Sequence, residues 1–134
     1  MFETYRINHV GMAVPNIERY LKTCESLYRG FNRSKLIIND AQGVLELFMN
    51  DGYTTLELLE PLNDSSPIKQ FLHHHIMGGL VHVCYECNDV SKAIEQLTVS
   101  GAKLVNGPTP DVAFDGKPVA FMFFGGQLIE LVNW

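Results

Sequence analysis

Two histidines and two glutamates stand in this chain at a common spacing of 73 residues, His9 with His82 and Glu57 with Glu130. Each histidine lies near the start of a strand-like run, Asn8-His9-Val10-Gly11-Met12-Ala13-Val14 or Val81-His82-Val83-Cys84-Tyr85-Glu86. Each glutamate sits inside another, Thr55-Leu56-Glu57-Leu58-Leu59 or Leu128-Ile129-Glu130-Leu131-Val132. Imidazole nitrogens with carboxylate oxygens suit a divalent ion such as zinc, cobalt, nickel, iron or manganese, and four protein donors on an octahedral ion leave positions for substrate oxygens. A lone strand histidine is more often hydrogen-bonded in a core, and a lone strand glutamate more often points to water. The recurrence of both types at one offset favours a shared ion, with separate structural roles still open on spacing alone.

The elements that must position these residues repeat as well. Ile7–Val14 reads as a strand with His9, Gly11 and Ala13 on one face. Asn16 caps a helix whose stripe Ile17, Leu21, Cys24 and Tyr28 ends before Gly30. Lys35–Ile38, Val44–Met49 and Thr54–Leu59 follow as strands, separated by the turn signals Asn39-Asp40 and Asn50-Asp51-Gly52. A connection from Pro61 to Gly79 holds one short helix, Ile68–His74. The order then recurs: strand Leu80–Glu86, a helix capped by Asp89 with the stripe Val90, Ala93, Ile94 and Leu97, and Gly101 as its stop. A strand near Lys103–Val105, a Gly/Pro-containing loop from Gly107 to Pro118, and strands Val119–Phe124 and Leu128–Val132 finish the chain. The expected architecture is a single α+β domain of two tandem βαβββ modules, about residues 5–61 and about 80–134, joined by a linker of about 62–79.

Composition narrows the partners. Its 134 residues suit one folded unit, because a lone module of about 60 residues buries too little surface. A net charge of −5 argues against nucleic acid, and no apolar run is long enough to span a membrane. The first residues show no basic stretch followed by an apolar one, so a cytoplasmic location is expected. Three cysteines, an odd number, suggest reduced thiols. Cys84 and Cys87 spell CxxC, but three residues along a strand place them on opposite faces, which fits core packing better than metal or redox work. His73-His74-His75 diverge around a helix and suit its C-terminal turn. Phe121, Met122, Phe123 and Phe124 read as strand residues filling a core, although they could line a pocket.

Several segments, in order across nearly the whole chain, resemble the vicinal oxygen chelate superfamily, the glyoxalase and bleomycin-resistance fold, and within it the methylmalonyl-CoA epimerases. They are Asn8-His9-Val10-Gly11-Met12-Ala13-Val14-Pro15, Ala41-Gln42-Gly43-Val44-Leu45-Glu46, Glu57-Leu58-Leu59-Glu60-Pro61-Leu62-Asn63-Asp64-Ser65-Ser66-Pro67-Ile68, Gly78-Gly79-Leu80-Val81-His82-Val83, Pro118-Val119-Ala120-Phe121 and Leu128-Ile129-Glu130-Leu131. The resemblance implies paired βαβββ modules whose mostly antiparallel, eight-stranded sheet cups one divalent metal ion held by His9, Glu57, His82 and Glu130. It also implies that Glu46 is a second catalytic carboxylate; the internal offset carries Glu46 onto Val119, so this acid has no copy in the other half.

The chemistry implied is proton abstraction next to a thioester carbonyl, with Glu46 and Glu130 removing and returning the proton and the ion stabilising the charge that develops. The implied partners are a small-molecule substrate, an acyl thioester among the candidates, and a second copy of the chain in a homodimer. One departure stands out. The epimerases carry a His-Pro-Lys-containing loop before the last strand, where this chain has Phe123-Phe124-Gly125-Gly126-Gln127. A lactoylglutathione lyase of the glyoxalase I type would use the same ligand set, and other members of the fold bind small molecules without catalysis, a role that needs none of these ligands.

Overall fold

The computed structural model describes residues 2–134. Among these residues the elements are β1 (Arg6–Ala13), α1 (Ile17–Thr23), β2 (Asn32–Arg33), β3 (Ile37–Asn39), β4 (Val44–Asn50), β5 (Thr55–Pro61) and α2 (Ile68–His74). There follow β6 (Gly79–Cys87), α3 (Val90–Val99), β7 (Lys103–Pro110), a 3-10 turn over Val112–Phe114, β8 (Pro118–Phe124) and β9 (Gln127–Asn133). The βαβββ order holds twice. Nine strands appear where eight were expected, because β2 and β3 are two short pieces pairing with the same partner, β4. Ser34 causes the break: its Oγ accepts the N–H of Phe48 and its own N–H donates to the Phe48 carbonyl, so a side chain takes over one rung of the ladder. No helix among the described residues is long and apolar enough to cross a membrane.

The chain divides into two compact units, Val10–Val81 in one and the described residues up to His9 with His82–Trp134 in the other. In the Val10–Val81 unit the strands run β2-β4-β5-β1, with β1 and β5 parallel and the other pairs antiparallel. Strand alternation decides what each face does. Met12, Leu45, Leu47, Met49, Leu56 and Leu58 turn to one side, where Ile17 and Leu21 of α1 and the Tyr28 ring complete an apolar cluster. Burying a leucine as fully as Leu58 contributes about 1.5–3 kcal/mol. On the other side Ala13, Val44 and Leu59 pack under Ile68, Phe71 and Leu72 of α2. Gly11, Glu46 and Glu57 share that second face by parity. Helix α1 stops at Thr23, short of the stripe's expected end; the chain continues in turns that still deliver Tyr28 to the core at 6% exposure.

The other unit repeats the plan with strand order β6-β9-β8-β7 and parallel pairing between β6 and β9. Cys87, Ala120, Met122, Ile129 and Leu131 meet Val90 and Ala93 of α3. The opposite face carries Cys84, Val119 and Val132 under Phe114, and with them His82, Phe121 and Glu130. Helices α1 and α3 thus each cover the apolar face of their sheet, and the ionisable side chains lie on the face away from them, the face that α2 covers in part in the Val10–Val81 unit. Strand β7 runs on to Pro110, past the loop expected from Gly107, with register shifts between Leu104, Asn106 and Thr109 absorbing the irregularity.

Candidate metal centre

His9 and His82 enter from two strands, and Glu130 from the middle of β9, two rungs along from the Leu128 that pairs with His82. All three side chains are buried. His9 Nε2 and His82 Nε2 are 3.2 Å apart, and each is 3.2 Å from Glu130 Oε1. Three donor atoms therefore outline a nearly equilateral triangle.

The ring of His9 is oriented by its neighbour. Its Nδ1 is 2.8 Å from Asn8 Oδ1, and Asn8 Nδ2 donates to Glu86 Oε2 at 3.1 Å. A carboxylate only accepts, so the contact to Glu86 sets which end of the Asn8 amide faces the histidine. With the amide oxygen towards Nδ1, that nitrogen carries the proton and the Nε2 lone pair points into the triangle. Arg6 lies 3.8 Å from the other Glu86 oxygen at the exposed end of this relay.

A divalent cation fits this donor set. Two donors about 2.1 Å from a common ion are about 3.0 Å apart at an octahedral right angle and about 3.4 Å apart at a tetrahedral angle, and the 3.2 Å edges fall between these. The His9 Nε2 lone pair turned towards the Glu130 carboxylate also needs a cation or a donated proton between them.

Aromatic rings wall the cluster. Phe114 stacks on His9 at 5.8 Å and 19°, and Phe121 meets His82 edge-on at 5.7 Å. Phe114 ends the 3-10 turn, whose start is held by Asp111: its carboxylate accepts the Ala113 N–H and its carbonyl accepts those of Phe114 and Gly116. The left-handed Asp115 then reverses the chain.

The remaining sequence-derived candidates lie in the Val10–Val81 unit. Glu57 on β5 pairs with Gly11 of β1 and Phe48 of β4, and Glu46 on β4 pairs with Leu59 of β5. The two glutamates are thus diagonal neighbours on one sheet face, and they are 3% and 1% exposed. Asn39 Nδ2 donates to Glu46 Oε1 at 2.5 Å.

His73, His74 and His75 are exposed at the end of α2, with the His75 ring stacked on Phe71. Cys84 and Cys87 sit in different apolar clusters, and burial pushes the Cys87 thiol up to about 11. Asn8, Asn39 and Phe114 were not singled out in the sequence, where they read as a strand start, a turn and a loop. In the sequence Phe121 reads as a core residue that could also line a pocket. Strand register, which residue types alone do not give, sets Asn39 on the face of Glu46 and Phe121 on that of Glu130.

Residues 8–121 match the model of the Glyoxalase/Bleomycin resistance protein/Dioxygenase superfamily. The chain is 35% identical over 132 residues to the ethylmalonyl-CoA/methylmalonyl-CoA epimerase of Cereibacter sphaeroides, covering 94% of this chain and 96% of that protein. It superposes on the methylmalonyl-CoA epimerase of Mycobacterium tuberculosis with a TM-score of 0.80 at 26% identity, over 94% of this chain and 85% of the other. A methylmalonyl-CoA epimerase solved in complex with methylmalonyl-CoA and NH4+ gives 0.79 at 26% identity, over 95% and 92%. A family match across most of the chain, together with the twofold βαβββ order, shows that this protein belongs to the glyoxalase/bleomycin resistance/dioxygenase superfamily.

Proposed function

We propose that the protein is a metal-dependent epimerase that inverts the carbon between the thioester and carboxylate groups of a 2-substituted malonyl thioester, with methylmalonyl-CoA the first substrate to test. The observation that carries this reading is Glu46. A metal site accounts for two histidines and two glutamates, and buried Asp111 caps the 3-10 turn through the Ala113 N–H; neither role accounts for buried Glu46, which has Val119 as its counterpart in the other module. Burying a carboxylate is costly, and an acid beyond the ligand set is what a proton-transfer site needs.

His9, Glu57, His82 and Glu130 would hold the ion. Support for Glu57 is its pairing with Gly11, two residues along β1 from His9, just as Glu130 pairs with Cys84, two residues along β6 from His82. When bound, the ion would supply positive charge that stabilises the negative charge developing on the thioester.

Glu46 enters ionised and takes the proton from C2, and the electron pair of the broken C–H bond delocalises onto the thioester. Glu130 enters protonated on the carboxyl oxygen turned away from the histidines and delivers that proton to the opposite face of C2, which inverts the centre and restores the thioester. Glu46 is left protonated and Glu130 ionised until proton exchange with solvent, or turnover in the reverse direction, resets the pair. Phe114 and Phe121 exclude water from the side they cover. The proposal includes an acyl thioester as substrate, a homodimeric state and a cytoplasmic location; the three free cysteines suit a reducing compartment.

Deuterium uptake at C2 of methylmalonyl-CoA, followed by NMR with protein loaded in turn with cobalt, zinc and nickel, tests the proposal. Metal-dependent epimerisation, abolished in Glu46→Gln while the metal stays bound, is the expected result. No exchange with any bound metal would reject this substrate and turn attention to hemithioacetals. Loss of metal from Glu46→Gln would remove Glu46 from the role of base.

A further inference from the structure

We propose that Asn39 is a positioning residue for proton transfer: by donating to Oε1 of Glu46 it fixes the carboxylate in one orientation and assigns the transfer to Oε2. The inference rests on the reading of Glu46 as the base.

The contact is built by the β3–β4 hairpin. Asn39 pairs with Val44 and Ile37 with Glu46, so Asn39 and Glu46 are diagonal neighbours on one face of adjacent antiparallel strands. Both side chains are buried, at 2% and 1% exposure. The amide orientation of Asn39 is set independently of the carboxylate. The backbone N–H of Gln42, in the turn that closes the hairpin, donates to Asn39 Oδ1 at 3.2 Å, and this leaves Nδ2 as the end that meets Glu46 at 2.5 Å. Gly43 closes that turn at φ +70, with its N–H on the Asp40 carbonyl. A turn thus aims an amide, and the amide aims a carboxylate.

A glutamate side chain has three rotatable bonds and two equivalent oxygens, so burial alone does not direct one oxygen at a substrate carbon. A short bond from a neutral donor restricts the rotamer without bringing a countercharge that would quench the base. A hairpin needs no such group for folding, since an apolar side chain at position 39 would fill the same volume without a polar atom to satisfy. Asn39 touches the carboxylate, so its effect on the reaction runs through Glu46.

A base that serves one face of C2 gives this idea a stereochemical signature. Asn39→Asp keeps an oxygen for the Gln42 N–H and removes the donor to Glu46. Asn39→Leu removes the contacts to Glu46 and to the Gln42 N–H, and remains informative if two adjacent acids prevent Asn39→Asp from folding. Each variant is compared with the parent and with Glu46→Gln, as metal-loaded protein in deuterated water, measuring C2 deuterium uptake from each epimer of methylmalonyl-CoA separately. Folding is checked by melting and by metal content.

The expected result is that the epimer silenced by Glu46→Gln is slowed about 10- to 100-fold in the Asn39 variants, in kcat and not in KM, while uptake from the other epimer stays within about twofold. Equal slowing of both epimers would make Asn39 a merely structural residue and overturn the proposal. So would full rates for both epimers in folded variants while Glu46→Gln remains selective. If Glu46→Gln itself leaves both epimers exchanging, the assignment of the base fails, and the role of Asn39 fails with it.

Discussion

Removing Asn8 should weaken metal binding without touching a ligand. Asn8→Ala deletes the acceptor 2.8 Å from His9 Nδ1 and the donor 3.1 Å from Glu86 Oε2. The His9 ring then loses the contact that keeps its proton on Nδ1, and the form with the proton on Nε2, facing His82 and Glu130, competes with the ion. Loss of the group that orients a ligating histidine costs about 10- to 100-fold in affinity, equivalent to about 1.4–2.8 kcal/mol.

Asn8→Asp separates orientation from folding. It keeps an oxygen for Nδ1, so zinc affinity should stay within about threefold of the parent, but it sets a second carboxylate against Glu86, with Arg6 only 3.8 Å away on one side to offset it. Metal-free Asn8→Asp should therefore melt lower than the parent by about 1 kcal/mol of stability. Competition with a chromophoric chelator gives the zinc affinity, and calorimetry of the metal-free protein gives the stability. Parent-like zinc affinity in Asn8→Ala would refute the argument, because the Asn8 contact would then not control the state of His9.

Other consequences are more local. Gly78→Ala should lower stability by about 1–3 kcal/mol in denaturant titration, because φ is +99 and the added Cβ would lie 2.5 Å from the Ala13 carbonyl oxygen. Iodoacetamide at pH 8 should label half-buried Cys24 in the native protein and reach Cys84 and Cys87 only after unfolding, read by mass spectrometry. The raised Cys87 value has a defined sign: its contribution to stability is complete below the ordinary thiol value of 9.0 and is lost as pH climbs through about 11. Asp51 works the other way. The Thr54 and Tyr53 N–H groups hold its carboxyl below the ordinary 3.8, so its contribution is present above that pH and lost as pH falls through the lowered value; Asp51→Ala should flatten that part of an acid melting series.

The metal-site candidates were readable because they repeat. A fixed offset of His and Glu on strands of known parity defines faces before any contact is known, and His9, His82 and Glu130 duly meet. Helix α2 was readable from end to end, and α3 through its Asp89 cap and Gly101 stop. The hidden parts depend on contacts between residues that no periodicity links. Asn39 next to Asp40 looks like a turn, and only the β3–β4 register reveals that its side chain serves Glu46. Phe114 lies in a stretch rich in turn residues, and its stacking on His9 is set by backbone bonds to Asp111 that leave no pattern in residue types. Tyr28 reaches the α1 cluster although the helix has ended, because cores select for position and volume whatever the intervening backbone does.

The pairing registers of the two parallel ladders are alike: Glu57 stands opposite the residue two beyond His9, and Glu130 opposite the residue two beyond His82. For a lineage that carries this chain, length is consequently a harder constraint than chemistry along β1, β5, β6 and β9. Exchanging one ligand removes one donor. A single inserted codon ahead of Glu57 or Glu130 turns the carboxylate towards the apolar layer under α1 or α3 and drives the neighbouring apolar side chains out of it, so that the proposed ligand and the core are lost in one event. Insertions and deletions that survive should therefore collect between Pro61 and Gly79 and between Pro110 and Pro118, where residues can be added without shifting either ladder.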